Sequence, residues 1–407
     1  MKYIIAILDG ATDRLSDYPN GDTPLQTAAT PTMDQLANCS EVGWAKNVPE
    51  GYPPGSDVAC LSIFGFNPAE VYSGRAPLEA ANMGLQLGER VAFRCNLVTI
   101  ENGSMKEFTA GHISTEEADQ LIKSLQAELG NDEISFHTGV QYRHITITPR
   151  EWNNVQCTPP HDIIDQNVAD HLPQGEAKQQ VLELMERSKA IFENHPVNLK
   201  RAADGKAQAT QIWLWGQGTK PQLTTYQERY DMEGGVISAV DLIQGIGRLA
   251  GLEVIKVEGA TGLPDTNYEG KAQAALQLLK KHPFVLIHVE STDEMGHAGD
   301  EEKKTRAASD FDQRMLKILV DGLRESGEDF RILLLPDHPT PIALRTHTSD
   351  PVPFLLFDSR DESKKSDAGY SEQGILERTK NVVAGHRVIE LLCQKTTLAD
   401  EIIEQLD

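Results

Sequence analysis

Asp293 and His297 stand four residues apart in Asp-Glu-Met-Gly-His, a spacing that puts both side chains on one face of a helical turn, close enough to share a metal ion. Asp337 and His338 are adjacent, so they point in different directions and suit different roles or different metals; His347 follows in Thr-His-Thr-Ser-Asp-Pro. With Asp9 these residues offer imidazole nitrogen and carboxylate oxygen together, a donor set that suits manganese or zinc better than calcium or magnesium. They can supply two metals and still leave positions open for a substrate. Ser56 lies in Pro53-Pro54-Gly55-Ser56-Asp57, where a Pro/Gly-rich loop leads into a helix with the serine expected at the N-cap. Taken alone, Ser56 is a helix cap. Beside metal ions its hydroxyl would be acidified into a nucleophile, and the helix N-terminus would favour a phosphate group.

Three short apolar runs deliver these residues. Tyr3–Leu8 ends in Asp9-Gly10, Phe284–Val289 runs into Glu290-Ser291-Thr292-Asp293, and Ile332–Leu335 runs into Pro336-Asp337-His338. Each reads as a buried strand with polar residues at its carboxyl end, the side of an open α/β sheet on which ligands bind. Helical patterns over Ala239–Ala250, Gly270–Lys281 and Thr305–Glu325 alternate with them, which implies a mostly parallel sheet with helices on both faces. Between roughly Arg75 and Leu223 the pattern changes. Strands at Val91–Ile100 and Gln141–Thr148 and helices at Thr115–Leu129 and Gly175–Phe192 read as an α/β cap inserted into the core. The expected division is a core of residues 1–74 and 224–407 and a cap of residues 75–223.

At 407 residues the chain suits two domains. Its net charge of −23 argues against nucleic acid and anionic membranes as partners, so a phosphate-bearing substrate needs local positive charge from metals or arginines. Five cysteines form no CxxC pair, and neither a signal peptide nor an apolar run of about 20 residues is present. The expectation is a cytoplasmic protein with reduced thiols. Oligomeric state is left open.

The order Asp9-Gly10, Pro54-Gly55-Ser56-Asp57, Asp293-x-x-x-His297, Asp337-His338 and His347-Thr348 resembles the alkaline phosphatase superfamily of metalloenzymes. Further stretches resemble one branch, the archaeal-type cofactor-independent phosphoglycerate mutases. These are Ser73-Gly74-Arg75-Ala76-Pro77-Leu78-Glu79, Phe93-Arg94-Cys95-Asn96, Ala110-Gly111-His112, Tyr142-Arg143 and Ile212-Trp213-Leu214-Trp215-Gly216. The resemblance implies an alkaline-phosphatase-like α/β core with an inserted cap, and Asp293, His297 and His347 on one metal. Asp9, Ser56, Asp337 and His338 would hold the other. Manganese is the family's usual ion, with zinc, cobalt or magnesium as alternatives. Ser56 would take the phosphoryl group of 3-phosphoglycerate and return it to the other hydroxyl, while the closed cap excludes water.

Glycerate carboxylate and phosphate call for guanidinium partners. Arg75, Arg94, Arg143 and Arg201 fall in or near the family-like stretches, and His112 is the candidate for proton transfer to the glycerate hydroxyls. His288, inside an apolar strand, reads as a satisfied core residue, and the Trp213/Trp215 pair as packing within the cap. The alternatives are transfer from a nucleotide to another hydroxyl such as that of homoserine, a phosphatase or other phosphomutase, and a metal-binding protein without turnover.

Overall fold

A computed structural model describes residues 1–406 in two compact units, Met1–Tyr72 joined by the chain from Leu223 onward, and Ser73–Gln222. The first unit is built on a sheet of nine strands among the described residues. From one edge to the other they run Glu253–Ile255, Gly234–Ile237, Phe284–Val289, Lys2–Leu8, Phe330–Leu335, Val352–Asp358, Glu41–Lys46, Asn381–Ala384 and Ile402–Gln405. The first five pair in parallel, and antiparallel pairs enter at Val352–Asp358 and at the far edge. The sheet is thus mostly parallel, as the alternation of strands and helices predicts.

Lys2–Leu8 is buried on both faces. Ile4, Ala6 and Leu8 share a core with Met33, Leu36, Ala272, Ala275, Leu319 and Leu323 from helices on one side. Ile5 and Ile7 point the other way and are equally buried, on the face where Arg331 Nη1 donates to the carbonyls of Leu391 and Leu392. The single helix expected over Thr305–Glu325 is instead two α-helices, Glu301–Asp310 and Lys317–Ser326, joined by a π turn at Phe311–Leu316. The turn carries buried Asp312, which accepts the N–H groups of Met33 (2.6 Å) and Thr32 (3.2 Å) and so caps the helix Pro31–Cys39. No helix among the described residues is long and apolar enough to cross a membrane.

The second unit pairs its strands antiparallel. Val91–Glu101 lies between Gln211–Thr219 on one side and Arg143–Thr148 and Ser104–Glu107 on the other, with Ser135–Val140 outermost. The sequence announced two of these five strands. Helix Thr115–Leu129 starts at a capping box of Ser114 and Glu117 and buries Ala118, Leu121, Ile122 and Leu125 at helical spacing. Trp213 and Trp215 belong to this core.

His144 is 1% exposed, its Nδ1 accepts the N–H of Gly139 at 3.1 Å, and its Nε2 has no hydrogen-bond partner among the described residues. Burial lowers its pKa to about 3. An unfolded histidine titrates near 6.5, so the unfolded chain binds the extra proton first and stability falls as pH drops below about 6.5. By pH 5 this group alone removes about 2 kcal/mol. Denaturant melts at pH 7 and pH 5 should show that loss shrinking by about this amount in His144→Leu; an unchanged difference between the two pH values would rule out a buried neutral histidine.

Candidate metal centre

Register brings the three strand ends together. Leu8 lies opposite Val289 and Ile7 opposite Leu335, so the next residues, Asp9, Glu290 and Pro336-Asp337, reach the same edge of the sheet. The helix Ser291–Ala298 begins at once and sets Asp293 and His297 on one face. His297 Nε2 is 3.2 Å from Asp293 Oδ2, His347 Nε2 is 3.4 Å from Asp293 Oδ1, and the two Nε2 atoms are 2.9 Å apart. Gly10 allows this convergence. It has φ +61°, and a Cβ there would lie 2.6 Å from both Asp293 Oδ1 and Thr340 Oγ1, so no side chain fits.

A second group forms beside the first. His338 Nε2 is 3.1 Å from Ser56 Oγ, 3.3 Å from Asp337 Oδ2 and 3.7 Å from Asp9 Oδ1. Asp337 Oδ1 accepts the N–H groups of Gly10 (3.1 Å) and His338 (2.9 Å), which fixes its carboxylate plane. Ser56 is the first residue of the helix Ser56–Ile63, and Gly55 is the N-cap. The expected N-cap serine is therefore displaced by one position, and its hydroxyl turns to His338 instead of closing the helix. The neighbouring Asp57 is held by the Tyr72 hydroxyl at 2.5 Å.

The electrostatics are those of a site built for cations. Burial, Asp337 and Asp293 push the Asp9 pKa well above the ordinary carboxylate value. Burial acts the same way on Asp293, but His297 and His347 outweigh it and hold that group well below the usual range. Burial depresses His297, yet Asp293 raises it to about 9. Asp9 Oδ1 is buried without a hydrogen-bond partner among the described residues. Among the described residues three groupings, Asp293 with His297 and His347, Asp9 with Asp293 and His338, and Cys60 with His288 and Asp337, each offer ligand atoms within 4.8 Å of one another. An orphaned carboxylate oxygen amid imidazoles and carboxylates fits a divalent metal such as manganese or zinc.

Two residues at this edge escaped the sequence reading. His288 is buried in its strand, as expected, but its Nε2 lies 2.9 Å from Asp9 Oδ2 while Nδ1 meets Ser238 Oγ at 3.2 Å. It adjoins the site and is more than core. Cys60 Sγ is 3.7 Å from Asp337 Oδ2. Cys60 follows Ser56 by four residues on one helix, the same spacing that identified Asp293 and His297, so a signal for it was present.

In the second unit, Arg75 Nε and Arg94 Nε each lie 3.0 Å from one carboxylate, that of Glu79. Burial opposes ionisation of Glu79, but Arg94, Arg75 and Arg143 outweigh it and lower its pKa. Burial brings Arg94 down to about 10, and its guanidinium stacks 4.4 Å above the Trp215 ring. Three guanidinium groups thus act on a single carboxylate.

Arg201 is the fourth arginine expected at the substrate. It is 2% exposed, and its guanidinium donates to Ala207 O, Ala110 O, Gly111 O and the Glu117 carboxylate. It braces Ala110-Gly111-His112, where three successive residues have φ of +47°, +62° and +49°. That run presents His112 at the surface. Strained backbone of this kind persists only when its surroundings enforce it.

The family model for 2,3-bisphosphoglycerate-independent phosphoglycerate mutase matches residues 37–198. A protein of that description from Methanosarcina barkeri is 48% identical over 394 residues, covering 96% of this chain and 99% of its own. The solved structure of the PH0037 protein from Pyrococcus horikoshii superposes with a TM-score of 0.80 at 30% identity, covering 97% of this chain and 98% of that one. A cofactor-independent phosphoglycerate mutase from Thermoplasma acidophilum shares the fold, with a TM-score of 0.62 at 21% identity over 97% of this chain and 99% of its own.

Proposed function

The chain belongs to the 2,3-bisphosphoglycerate-independent phosphoglycerate mutases, and from that premise we propose that it moves the phosphoryl group between the 3- and 2-hydroxyls of glycerate through a phosphoserine at Ser56, with two divalent metals. The observation that carries the reading is Ser56 Oγ, 3.1 Å from His338 Nε2, at the edge where Asp9, Asp293 and Asp337 converge.

Asp293, His297 and His347 would hold one metal, and Asp9, Ser56, Asp337 and His338 the other; manganese is the first choice and zinc, cobalt or magnesium the alternatives. When bound, the metals supply positive charge to the phosphoryl oxygens and acidify the serine hydroxyl. The chain's own residues do the remaining work. The N-terminus of the helix Ser56–Ile63 would offer backbone N–H groups to the phosphoryl oxygens. Arg75, Arg94 and Arg143, gathered around Glu79, are the proposed partners of the glycerate carboxylate and phosphate. His112 is the proposed carrier of protons to and from the glycerate hydroxyls, and residues 75–223 the proposed cap that keeps water from the phosphoserine. Five free cysteines support a reducing compartment, the cytoplasm.

The test is an assay of chelated and manganese-loaded protein. One arm supplies 3-phosphoglycerate without bisphosphoglycerate, and a second supplies ATP with homoserine. Formation of 2-phosphoglycerate in the loaded protein alone is the expected result. Phosphohomoserine in the second arm with no 2-phosphoglycerate in the first would overturn the mutase reading. Inorganic phosphate as the sole product would make the protein a phosphatase.

A further inference from the structure

We propose that the Thr340 hydroxyl is a positioning group that ties the two metal-binding groups together, donating to Asp293 and accepting from His338 so that His338 Nε2 is left as the ligand atom. The inference rests on the two-metal reading above and concerns a residue outside every ligand set. Thr340 is fully buried. Its Oγ1 is 2.5 Å from Asp293 Oδ1 and 3.3 Å from His338 Nδ1.

Counting protons gives the direction of each bond. A carboxylate that ligates a metal carries no proton and can only accept. The proton between Thr340 Oγ1 and Asp293 Oδ1 is therefore the threonine's, and it is the only one that oxygen has. Facing His338 Nδ1, Oγ1 then offers lone pairs alone. The favourable arrangement has Nδ1–H donating to Oγ1, and an imidazole protonated at Nδ1 keeps its Nε2 lone pair free. Nε2 is the atom that lies 3.1 Å from Ser56 Oγ and 3.3 Å from Asp337 Oδ2. One hydroxyl thus sets the tautomer of a ligand in one group and the carboxylate orientation of a ligand in the other.

The backbone holds this hydroxyl in place. Thr340 N–H donates to Thr12 O at 3.3 Å, and its carbonyl accepts buried Lys304 Nζ at 2.9 Å. Lys304 Nζ is itself paired with Asp13 at 2.5 Å. On the far side Gly296 packs so closely that a Cβ there would lie 2.5 Å from Thr340 O. The two ligands depend on the hydroxyl unequally. Asp293 also has His297 and His347, whereas Thr340 is the partner of His338 Nδ1. Partners on the far nitrogen of a ligating histidine typically change metal affinity by 10–100-fold.

The full-length protein, stripped by chelation, is titrated with manganese as wild type, Thr340→Val and Thr340→Ser. Valine keeps the shape and removes the hydroxyl; serine keeps the hydroxyl. The wild type is expected to bind two ions, and Thr340→Val to keep one and bind the other roughly 10–100-fold more weakly. Thr340→Ser should stay within about threefold of wild type, since its hydroxyl makes the same two bonds. Nitrogen-15 spectra of the wild type loaded with diamagnetic zinc give a second readout that needs neither a variant nor activity, and His338 should appear protonated at Nδ1. Wild-type affinity at both sites in Thr340→Val, equal weakening by serine and valine, or a wild-type His338 protonated at Nε2 would each overturn the proposal. A wild type that binds no manganese would overturn the two-metal reading along with it, a result distinct from two ions bound by wild type and valine variant alike.

Discussion

Replacing Ser56 with alanine is expected to lower turnover by roughly 10⁴–10⁶-fold, the scale seen when a covalent nucleophile is removed. The loss should come with an intact fold, because Ser56 is not the cap of its helix. Gly55 occupies that position, and no side-chain cap bond is lost with the hydroxyl. What disappears is the oxygen that faces His338 Nε2 and, on the proposed mechanism, the atom that carries the phosphoryl group between its two sites on glycerate. Metal content should remain close to wild type, since Asp9, Asp337 and His338 stay in place. Mass spectra of acid-quenched wild type given 3-phosphoglycerate should contain a phosphorylated protein, and spectra of the variant none. A variant with near-normal rates would remove the phosphoserine from the mechanism and leave the mutase activity to be explained by direct transfer.

Asp293→Asn tests the metal half of the site, with an expected fall in kcat of about 10³-fold or more, equivalent to about 4 kcal/mol of barrier. Asp293 has partners on both of its carboxylate oxygens. One oxygen faces His297, and the other faces His347 and Thr340. An amide of the same shape carries no charge and presents an N–H₂ group where one of those oxygens accepted. Metal analysis should find at least one ion fewer per chain. Chelated wild type should lose activity to the same extent and recover it with manganese, whereas the variant should not recover. Full activity after exhaustive chelation would exclude a metal-dependent mechanism.

The residues of the candidate site were legible in the sequence wherever the signal was local. Asp293 and His297 fall within one helical turn, and Asp9 and Asp337 end strands whose apolar runs are plain to read. What stayed hidden depends on partners that only register supplies. His288 alternates with apolar neighbours like any core residue, and its meeting with Asp9 follows from the pairing of Ile7 with His288 on the adjacent strand. Arg201 shares this character. Nothing near it in sequence announces Glu117, 84 positions away, or the carbonyls of Ala110 and Gly111. Ser56 was misplaced by one residue because helix boundaries depend on backbone angles that Pro-Pro-Gly-Ser does not specify. The π turn at Phe311–Leu316 carries Asp312, which caps a helix nearly three hundred residues earlier, and no window of local sequence contains both partners.

The sheet order has a consequence for how the chain is made. Lys2–Leu8 leaves the ribosome well before its two neighbours in the sheet, Phe284–Val289 and Phe330–Leu335. At about 5–20 residues per second, the interval from Leu8 to Leu335 is roughly 15–65 s. Through that time an apolar strand with both edges open has nothing of its own to pair with, the condition in which nascent chains recruit chaperones or aggregate. Asp9 cannot take its place until both partners have been synthesised. The metal-ligand edge therefore cannot form before Leu335 is made, and a chain released earlier lacks the strand pairing from which to build the site.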